Sequence, residues 1–282
     1  MKTFITLCLV SVAILAQSAL GQNVTTWTGN GTDATDWKDS ANWSDGVPTA
    51  STVANLVYPA GAGPIYISSN SSVLGLIYGE PLVFWEILAT DLGVTLTIGS
   101  SGITNNNITQ GTDIVHGATT SLGANCTFTA GPLAERGLIM NDFSINAYTL
   151  NVAASTGTLF LQGETSFSVS SSTQGKISGS GSVQFAGAVS FNFTSAVGVG
   201  SWDFISQAPT GSPTGVKLAD YYNLILIEET PGNGAGSSGG LDWTYIASTG
   251  VLTAAAVPEP STWALFAFSL TVVTVLRRRR NS

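Results

Sequence analysis

The sequence predicts an all-β protein whose body is a short, right-handed parallel β-solenoid with a cap at each end. Apolar and polar residues alternate with a period of two in many short runs, as in residues 94–98 (VTLTI) and 143–152 (FSINAYTLNV). Glycine, serine and asparagine interrupt these runs about every 6 to 12 residues, which is typical of all-β proteins. No helical periodicity competes with the strand pattern before the C-terminal tail.

The solenoid is favoured by the shortness of the strands and by the small polar residues between them. Such residues suit the corners of a coil in which each turn buries its inward side by stacking on the next turn. Residues 94–200 would supply the repeating part, as roughly five turns of about 20 residues each. An antiparallel β-sandwich or jelly roll is the alternative, because the same periodicity permits it.

Residues 1–21 predict a secretory signal peptide. Lys2 precedes an apolar run over residues 5–16, and small residues follow as far as Gly21, so cleavage is expected before Gln22. Cys126 is then the one cysteine left in the exported chain, which therefore has no internal disulfide.

The charge distribution argues against nucleic-acid binding. The 282 residues include 9 Lys and Arg against 17 Asp and Glu, for a net charge of −8. Lys2 belongs to the leader and four arginines close the chain, so the body between them is acidic with few, scattered cations. Such a surface cannot neutralise a row of phosphates, and the sequence predicts no nucleic-acid partner.

Residues 22–93 form a Trp-rich region that we interpret as the cap over the first turn. Three tryptophans and four aspartates lie close together in it: Trp27, Asp33, Asp36, Trp37, Asp39, Trp43 and Asp45. Exposed tryptophans could instead stack on sugar rings, which makes Trp27, Trp37 and Trp43 candidate glycan-binding residues. The aspartates could also hold Ca²⁺, which takes six to eight oxygen ligands, although their spacing is not that of an EF-hand loop.

The body offers little that could support catalysis. His116 is the one histidine, so a multi-histidine metal site is excluded and a Ser-His-Asp triad would have a single candidate base. We expect the His116 side chain to be solvated or hydrogen-bonded. Cys126 has no basic neighbour in sequence and is expected in the core. The sequence therefore predicts no catalytic residue, no metal site and no cofactor.

Residues 201–256 predict a less repetitive β segment that closes the domain. The apolar run at 224–227 (LILI) predicts a fully buried strand, and the glycine-rich residues 231–240 predict a flexible loop. Residues 242–246 and 250–253 predict a final hairpin. The exported domain would thus cover residues 22–256.

The tail, residues 257–282, has three parts. A Pro-Glu-Pro sequence comes first, an apolar segment follows over residues 263–276, and an arginine cluster ends it: Pro258, Glu259, Pro260, then Arg277, Arg278, Arg279 and Arg280. As a helix the apolar segment would be about 21 Å long, against roughly 30 Å of hydrocarbon in a bilayer. We expect a single, marginal membrane helix with the arginines on the cytoplasmic side.

This tail resembles the PEP-CTERM sorting signal of Gram-negative bacteria. The resemblance implies an exosortase-type membrane peptidase as partner, a transient inner-membrane anchor and a final location at the cell surface or outside the cell. Residues 122–131, 150–152 and 157–163 of the body resemble autotransporter-associated β-strand repeats, which implies a passenger-like surface protein. The interruption at residues 131–137 departs from the regular spacing of such repeats.

Together these observations predict a non-catalytic, exported structural protein of the cell surface or the extracellular matrix, sorted through its tail. The alternative is a carbohydrate-binding or adhesive module whose partner is an extracellular polysaccharide.

Overall fold

The computed structural model describes residues 22–57, 63–79, 85–106, 114–132, 137–230 and 232–257. These residues form an all-β solenoid of about six turns, in which strands of successive turns pair in parallel. The predicted parallel solenoid is confirmed, because a sandwich or jelly roll would pair its strands antiparallel. The predicted signal peptide and membrane helix lie outside the described residues.

The strands are, in chain order, β1 (Asn23–Thr26), β2 (Thr52–Leu56), β3 (Ile65–Ile67), β4 (Ser71–Tyr78), β5 (Trp85–Ala89), β6 (Thr95–Asn105), β7 (Ile114–His116), β8 (Thr119–Leu122), β9 (Cys126–Thr129), β10 (Gly137–Met140), β11 (Phe143–Asn146), β12 (Thr149–Val152), β13 (Thr158–Leu161), β14 (Thr165–Val169), β15 (Lys176–Gly179), β16 (Ser182–Phe185), β17 (Val189–Phe193), β18 (Gly200–Asp203), β19 (Thr210–Gly211), β20 (Val216–Asp220), β21 (Leu224–Thr230), β22 (Asn233–Ser238), β23 (Leu241–Ile246) and β24 (Val251–Ala256). A short 3-10 helix, Ser40–Asn42, lies between β1 and β2.

Each turn contributes strands to three parallel ladders. The first ladder stacks β4, β6, β8, β11, β14, β17 and β20, and the second stacks β1, β2, β4, β6, β9, β12 and β15. The third stacks β3, β5, β7, β10, β13, β16 and β19. Strands β4 and β6 are long enough to pass from the first ladder into the second.

The corners between ladders are made by glycine and asparagine. Gly102 within β6 has a φ of 67°, and a Cβ there would lie 1.9 Å from the carbonyl oxygen of Thr127. Asn146 has a φ of 54°, and its Nδ2 donates to the carbonyl oxygen of Leu122, 24 residues earlier. The amide of Thr149 donates to Oδ1 of Asn125, again 24 residues away. These turns are therefore longer than the predicted 20 residues.

The inside of the coil is filled by the apolar residues of the alternating pattern. Phe167 and Phe191 are register partners in successive turns and stack with ring centroids 5.8 Å apart. Phe128 of β9 and Phe143 of β11 come from different ladders and also stack at 5.8 Å inside the coil. Cys126 is a buried free thiol, as predicted for a core residue, and burial raises its pKa to about 12. Continuous stacking of this kind buries a core that no single turn could bury alone.

An antiparallel sheet in the order β20-β21-β22-β23-β24-β18 closes the C-terminal end. Its inner face carries Leu226, Trp243 and Tyr245, and Tyr245 contacts Phe191 at a centroid distance of 5.3 Å. The other face of β21 is open, because Ile225 and Ile227 are 75% and 74% exposed. The prediction of a fully buried strand at 224–227 is therefore wrong.

Residues 233–238, predicted as part of a flexible loop, form the strand β22 between β21 and β23. Its glycines allow the close approach of this strand to the leucines of β21. A Cβ on Gly234 would lie 2.7 Å from the Cβ of Leu226, and one on Gly236 would lie 3.2 Å from Leu224. The described parts of the chain contain no helix long and apolar enough to cross a bilayer.

Candidate functional site

The three tryptophans of the N-terminal region form one buried cluster. Trp43 lies between the other two, with ring centroids 4.9 Å from Trp27 and 4.8 Å from Trp37, both edge to face. Its Nε1 donates to the carbonyl oxygen of Trp37 at 2.8 Å. The exposed fractions are 2% for Trp27, 0% for Trp37 and 4% for Trp43. A ring that stacks on a sugar must be exposed, so this packing favours the cap over the glycan-binding interpretation.

Asn42 organises the loop around this cluster, a role that could not be predicted from the sequence. Its fully buried side chain donates to the carbonyl oxygens of Asp33 (2.7 Å) and Asp36 (2.9 Å). Its Oδ1 accepts from the amide of Gly31 at 2.7 Å. A buried amide with three short hydrogen bonds fixes the path of an otherwise irregular loop.

The four aspartates bond to their own neighbourhood instead of converging. Asp33 accepts from the hydroxyl (2.6 Å) and amide of Thr35, and these bonds lower the pKa of Asp33. Asp39 caps the 3-10 helix by accepting from the amide of Ala41. Asp36 accepts from the amide of Lys38, and Asp45 accepts from the hydroxyl of Ser44. Across the described residues, no three acidic, histidine or cysteine side chains are grouped for metal binding.

A surface cleft of about 460 Å³ lies beside this loop, with Tyr66 in its wall. The cleft is lined by Asp33, Thr35, Asp36, Tyr66, Ser68 and Thr90. The Tyr66 backbone is fixed, since its amide donates to Thr35 and its carbonyl accepts from Trp37. The Tyr66 side chain is exposed. An open aromatic ring surrounded by hydroxyls and carboxylates, with no cation among the described lining residues, is suited to an uncharged polyhydroxyl ligand.

His116 lies inside the coil. Its Nε2 is 2.6 Å from the hydroxyl of Tyr78, and its Nδ1 is 3.3 Å from the hydroxyl of Thr120. Burial lowers the pKa of His116 to about 3 and raises that of Tyr78 well above its ordinary value. A neutral, fully enclosed imidazole with both nitrogens engaged has no access to a substrate, and its role is to satisfy buried polar groups.

Several charged side chains of the described body are also in structural contacts. Lys176 pairs with Asp203, and Lys217 pairs with Glu164, each at 2.8 Å. Glu228 Oε1 accepts from the amide of Gly232 at 2.7 Å and holds a turn.

The sorting residues predicted in the tail, Pro258 to Pro260 and Arg277 to Arg280, lie outside the described residues, which end at Val257. Residues 256–280 match the family model described as the PEP-CTERM protein-sorting motif. The chain carries a PEP-CTERM sorting motif. This motif implies export and processing by an exosortase. No curated protein and no solved structure matches the chain. The likeness of the body to autotransporter-associated repeats stays a prediction.

The sequence predicted the tail and the tryptophan cluster but missed the Tyr66 cleft. Thr35 and Asp36 come from the loop after β1, Tyr66 from β3, and Thr90 from the end of β5. These positions are brought together only by the stacking of successive turns, through a parallel bridge between Asp36 and Tyr66. Their sequence spacing carries no signal of that proximity.

Proposed function

We propose that this protein is a non-catalytic structural component of the cell surface or the extracellular matrix, delivered by its signal peptide and sorted through its tail. The match of residues 256–280 to the PEP-CTERM motif carries the proposal. The tail directs the chain to an exosortase in the inner membrane, and the solenoid is the cargo.

The body supports a structural role in two ways. Two side chains that could take part in chemistry, His116 and Cys126, are buried inside the coil. Its described residues form a continuous apolar stack and parallel ladders, which stabilise the coil by packing and backbone pairing. A stiff coil with a polar, hydroxyl-rich exterior is suited to a hydrated matrix.

The sorting step is tested by replacing Pro258, Glu259 and Pro260 with alanine. The variant should be exported but should accumulate as full-length protein in the inner membrane of an exosortase-positive strain. A matched control carries alanine at Ser261 and Thr262, next to the motif, and should be processed like the parent. If the triple variant reaches the surface with the yield and the processed mass of the parent protein, the motif does not direct sorting.

A second candidate function, carbohydrate binding, is favoured by the cleft at Tyr66 and not by the tryptophans. Tyr66 would stack on a sugar ring while Asp33 and Asp36 accept hydrogen bonds from its hydroxyls. The part of the cleft that the structure describes is lined by no cation, so an uncharged polysaccharide is the expected ligand.

Retention on immobilised neutral polysaccharides tests this function. Tyr66→Ala should abolish retention without lowering the thermal midpoint. Tyr221→Ala removes another exposed tyrosine, far from the cleft, and should leave retention intact. Equal retention of the two variants would remove the cleft from consideration.

A further inference from the structure

The outer face of the C-terminal antiparallel sheet carries an apolar surface that the core does not use. We call it the cap face and define it by Ile225, Ile227, Ile246 and Val257, whose exposed fractions are 75%, 74%, 40% and 39%. The strand register places them on one side of the sheet, with Ile225 and Ile227 together on β21 and with Ile246 and Val257 near opposite ends of the β23–β24 pair. Paired residues on neighbouring strands, and residues two apart on one strand, lie on the same side of a sheet. Ile227 pairs with Ala235, and Ala235 pairs with Thr244, which lies two residues before Ile246. Asp242, two residues before Thr244, pairs with Ala255, which lies two residues before Val257.

This surface is unusual for a sheet that faces water. The open side of an antiparallel sheet normally carries polar residues, and clustered exposed apolar side chains mark an interaction site. Within the described part of the chain, most of the exposed large hydrophobic residues lie at this end of the solenoid, since Val199 and Tyr221 are also exposed there.

The chain itself indicates what lies against the cap face. The described structure ends at Val257, whose amide donates to the carbonyl oxygen of Gly240 at 3.2 Å, and the apolar segment of the tail begins at residue 263. Even fully extended, the intervening residues span about 20 Å. While the tail is inserted, Val257 and the edge of the cap face next to it therefore stay within about 20 Å of the bilayer. This step rests on the proposed function.

The charges near the cap face argue against recognition of anionic headgroups. Lys217, the register partner of Ile225, pairs with Glu164, and Lys176 pairs with Asp203, so the described residues of this face show no cluster of free cations. The contact must come from apolar burial instead.

We infer that the cap face rests on the outer surface of the lipid bilayer, with Ile225 and Ile227 in the interfacial region, as long as the tail is inserted. The contact orients the solenoid and holds the Pro-Glu-Pro sequence at the membrane surface. Two exposed isoleucines, with the partly exposed Ile246 and Val257, make a contact too weak to hold the domain without the inserted tail. Cleavage of the tail therefore releases the domain.

Full-length protein in phosphatidylcholine vesicles that contain doxyl-labelled lipid tests this inference. An environment-sensitive fluorophore is attached to the cysteine of Ile225→Cys. Leu92→Cys with the same label is the matched control, because Leu92 is fully exposed in the loop before β6. Five strand pairings, about 24 Å, separate β6 from β20. We expect lipid quenching at position 225 to be at least about twofold stronger than at position 92, since interfacial side chains lie roughly 5–10 Å inside the headgroup boundary. Added salt should leave the ratio unchanged.

A second variant separates the apolar contact from the tether. With the fluorophore at Ile246→Cys, the changes Ile225→Ser and Ile227→Ser should reduce quenching to the level at position 92. Equal quenching at positions 225 and 92 in protein that floats with the vesicles would overturn the inference and leave tail insertion intact. Protein that does not float would overturn tail insertion and the inference together. If quenching is observed only when an exosortase is reconstituted in the same vesicles, the cap face does not contact lipid by itself, and the inference is wrong.

Discussion

Acid should destabilise this fold well before its carboxylates titrate, because of one buried histidine. The pKa of His116 is about 3 in the folded protein against 6.5 in an unfolded chain, and the cause is burial of the imidazole. Between these two values the unfolded chain binds a proton that the folded protein does not bind. The free energy of unfolding is therefore not lowered by His116 above about pH 6.5, and it decreases as the pH falls below that value.

The magnitude follows from the width of that window. Each pH unit below 6.5 removes about 1.4 kcal/mol from the free energy of unfolding, so a change from pH 7.5 to 5 removes about 2 kcal/mol. The carboxylates contribute little in this range, since their ordinary pKa values lie near 4. The pKa of Asp33 is lowered by its hydrogen bonds to Thr35, so any loss from this residue begins near pH 4 and has the same sign.

Urea denaturation of residues 22–257, followed by tryptophan fluorescence at several pH values, measures this loss. His116→Gln keeps a hydrogen-bonding side chain beside Tyr78 and removes the titration, so its profile should be flat between pH 7.5 and 5. Because the chain has a single histidine, its imidazole resonance reports the folded pKa directly. A resonance that titrates near pH 6.5, or a parent profile as flat as that of the variant, would refute the reasoning.

Three further changes test the packing of the coil by urea denaturation. Trp37→Ala should cost about 3–5 kcal/mol of unfolding free energy, because the ring is fully buried; a cost below about 1 kcal/mol would mean that the ring is not part of the core. Gly102→Ala should cost about 2 kcal/mol or more, since its φ is positive and its Cβ would overlap the Thr127 carbonyl; a neutral substitution would contradict this corner. Lys217→Ala should change the unfolding free energy by less than about 1 kcal/mol, because its ion pair with Glu164 is solvent-exposed, and a larger loss would assign that pair a structural role.

The alternation of residue types predicted strands well but not their ends. Residues 143–152 were predicted as one alternating run, yet they form two strands, β11 and β12, in different ladders. The corner lies at Asn146, whose positive φ turns the chain, and the buried positions shift from 143 and 145 before it to 150 and 152 after it. A period of two therefore shows that a segment is extended, and only a break in its phase, such as the adjacent Ala147 and Tyr148, indicates where the coil bends.

The C-terminal sheet was the least predictable part because its composition and its structure disagree. The run at 224–227 is apolar throughout, but only Leu226 is buried, and Ile225 and Ile227 point away from the core. The glycines of β22 suggested a loop, whereas Gly234 and Gly236 are needed for close packing against β21. Pairing with two neighbouring strands outweighs the low strand propensity of glycine.

The tail could be predicted from sequence alone because its signal is local. Pro-Glu-Pro, the apolar segment and the arginines are consecutive, and the match at residues 256–280 confirms the motif. The Tyr66 cleft is the opposite case, since its residues meet only after two turns have stacked.

The mass of the mature protein tests the central claim most directly. Surface-located protein from an exosortase-positive strain is digested, and its C-terminal peptide is identified by mass spectrometry. Processing through the motif predicts a new C-terminus close to Pro258, Glu259 and Pro260, with the arginine cluster absent, and intact full-length protein in a strain without the exosortase. Surface protein that still ends in Asn281 and Ser282 in the exosortase-positive strain would contradict the account.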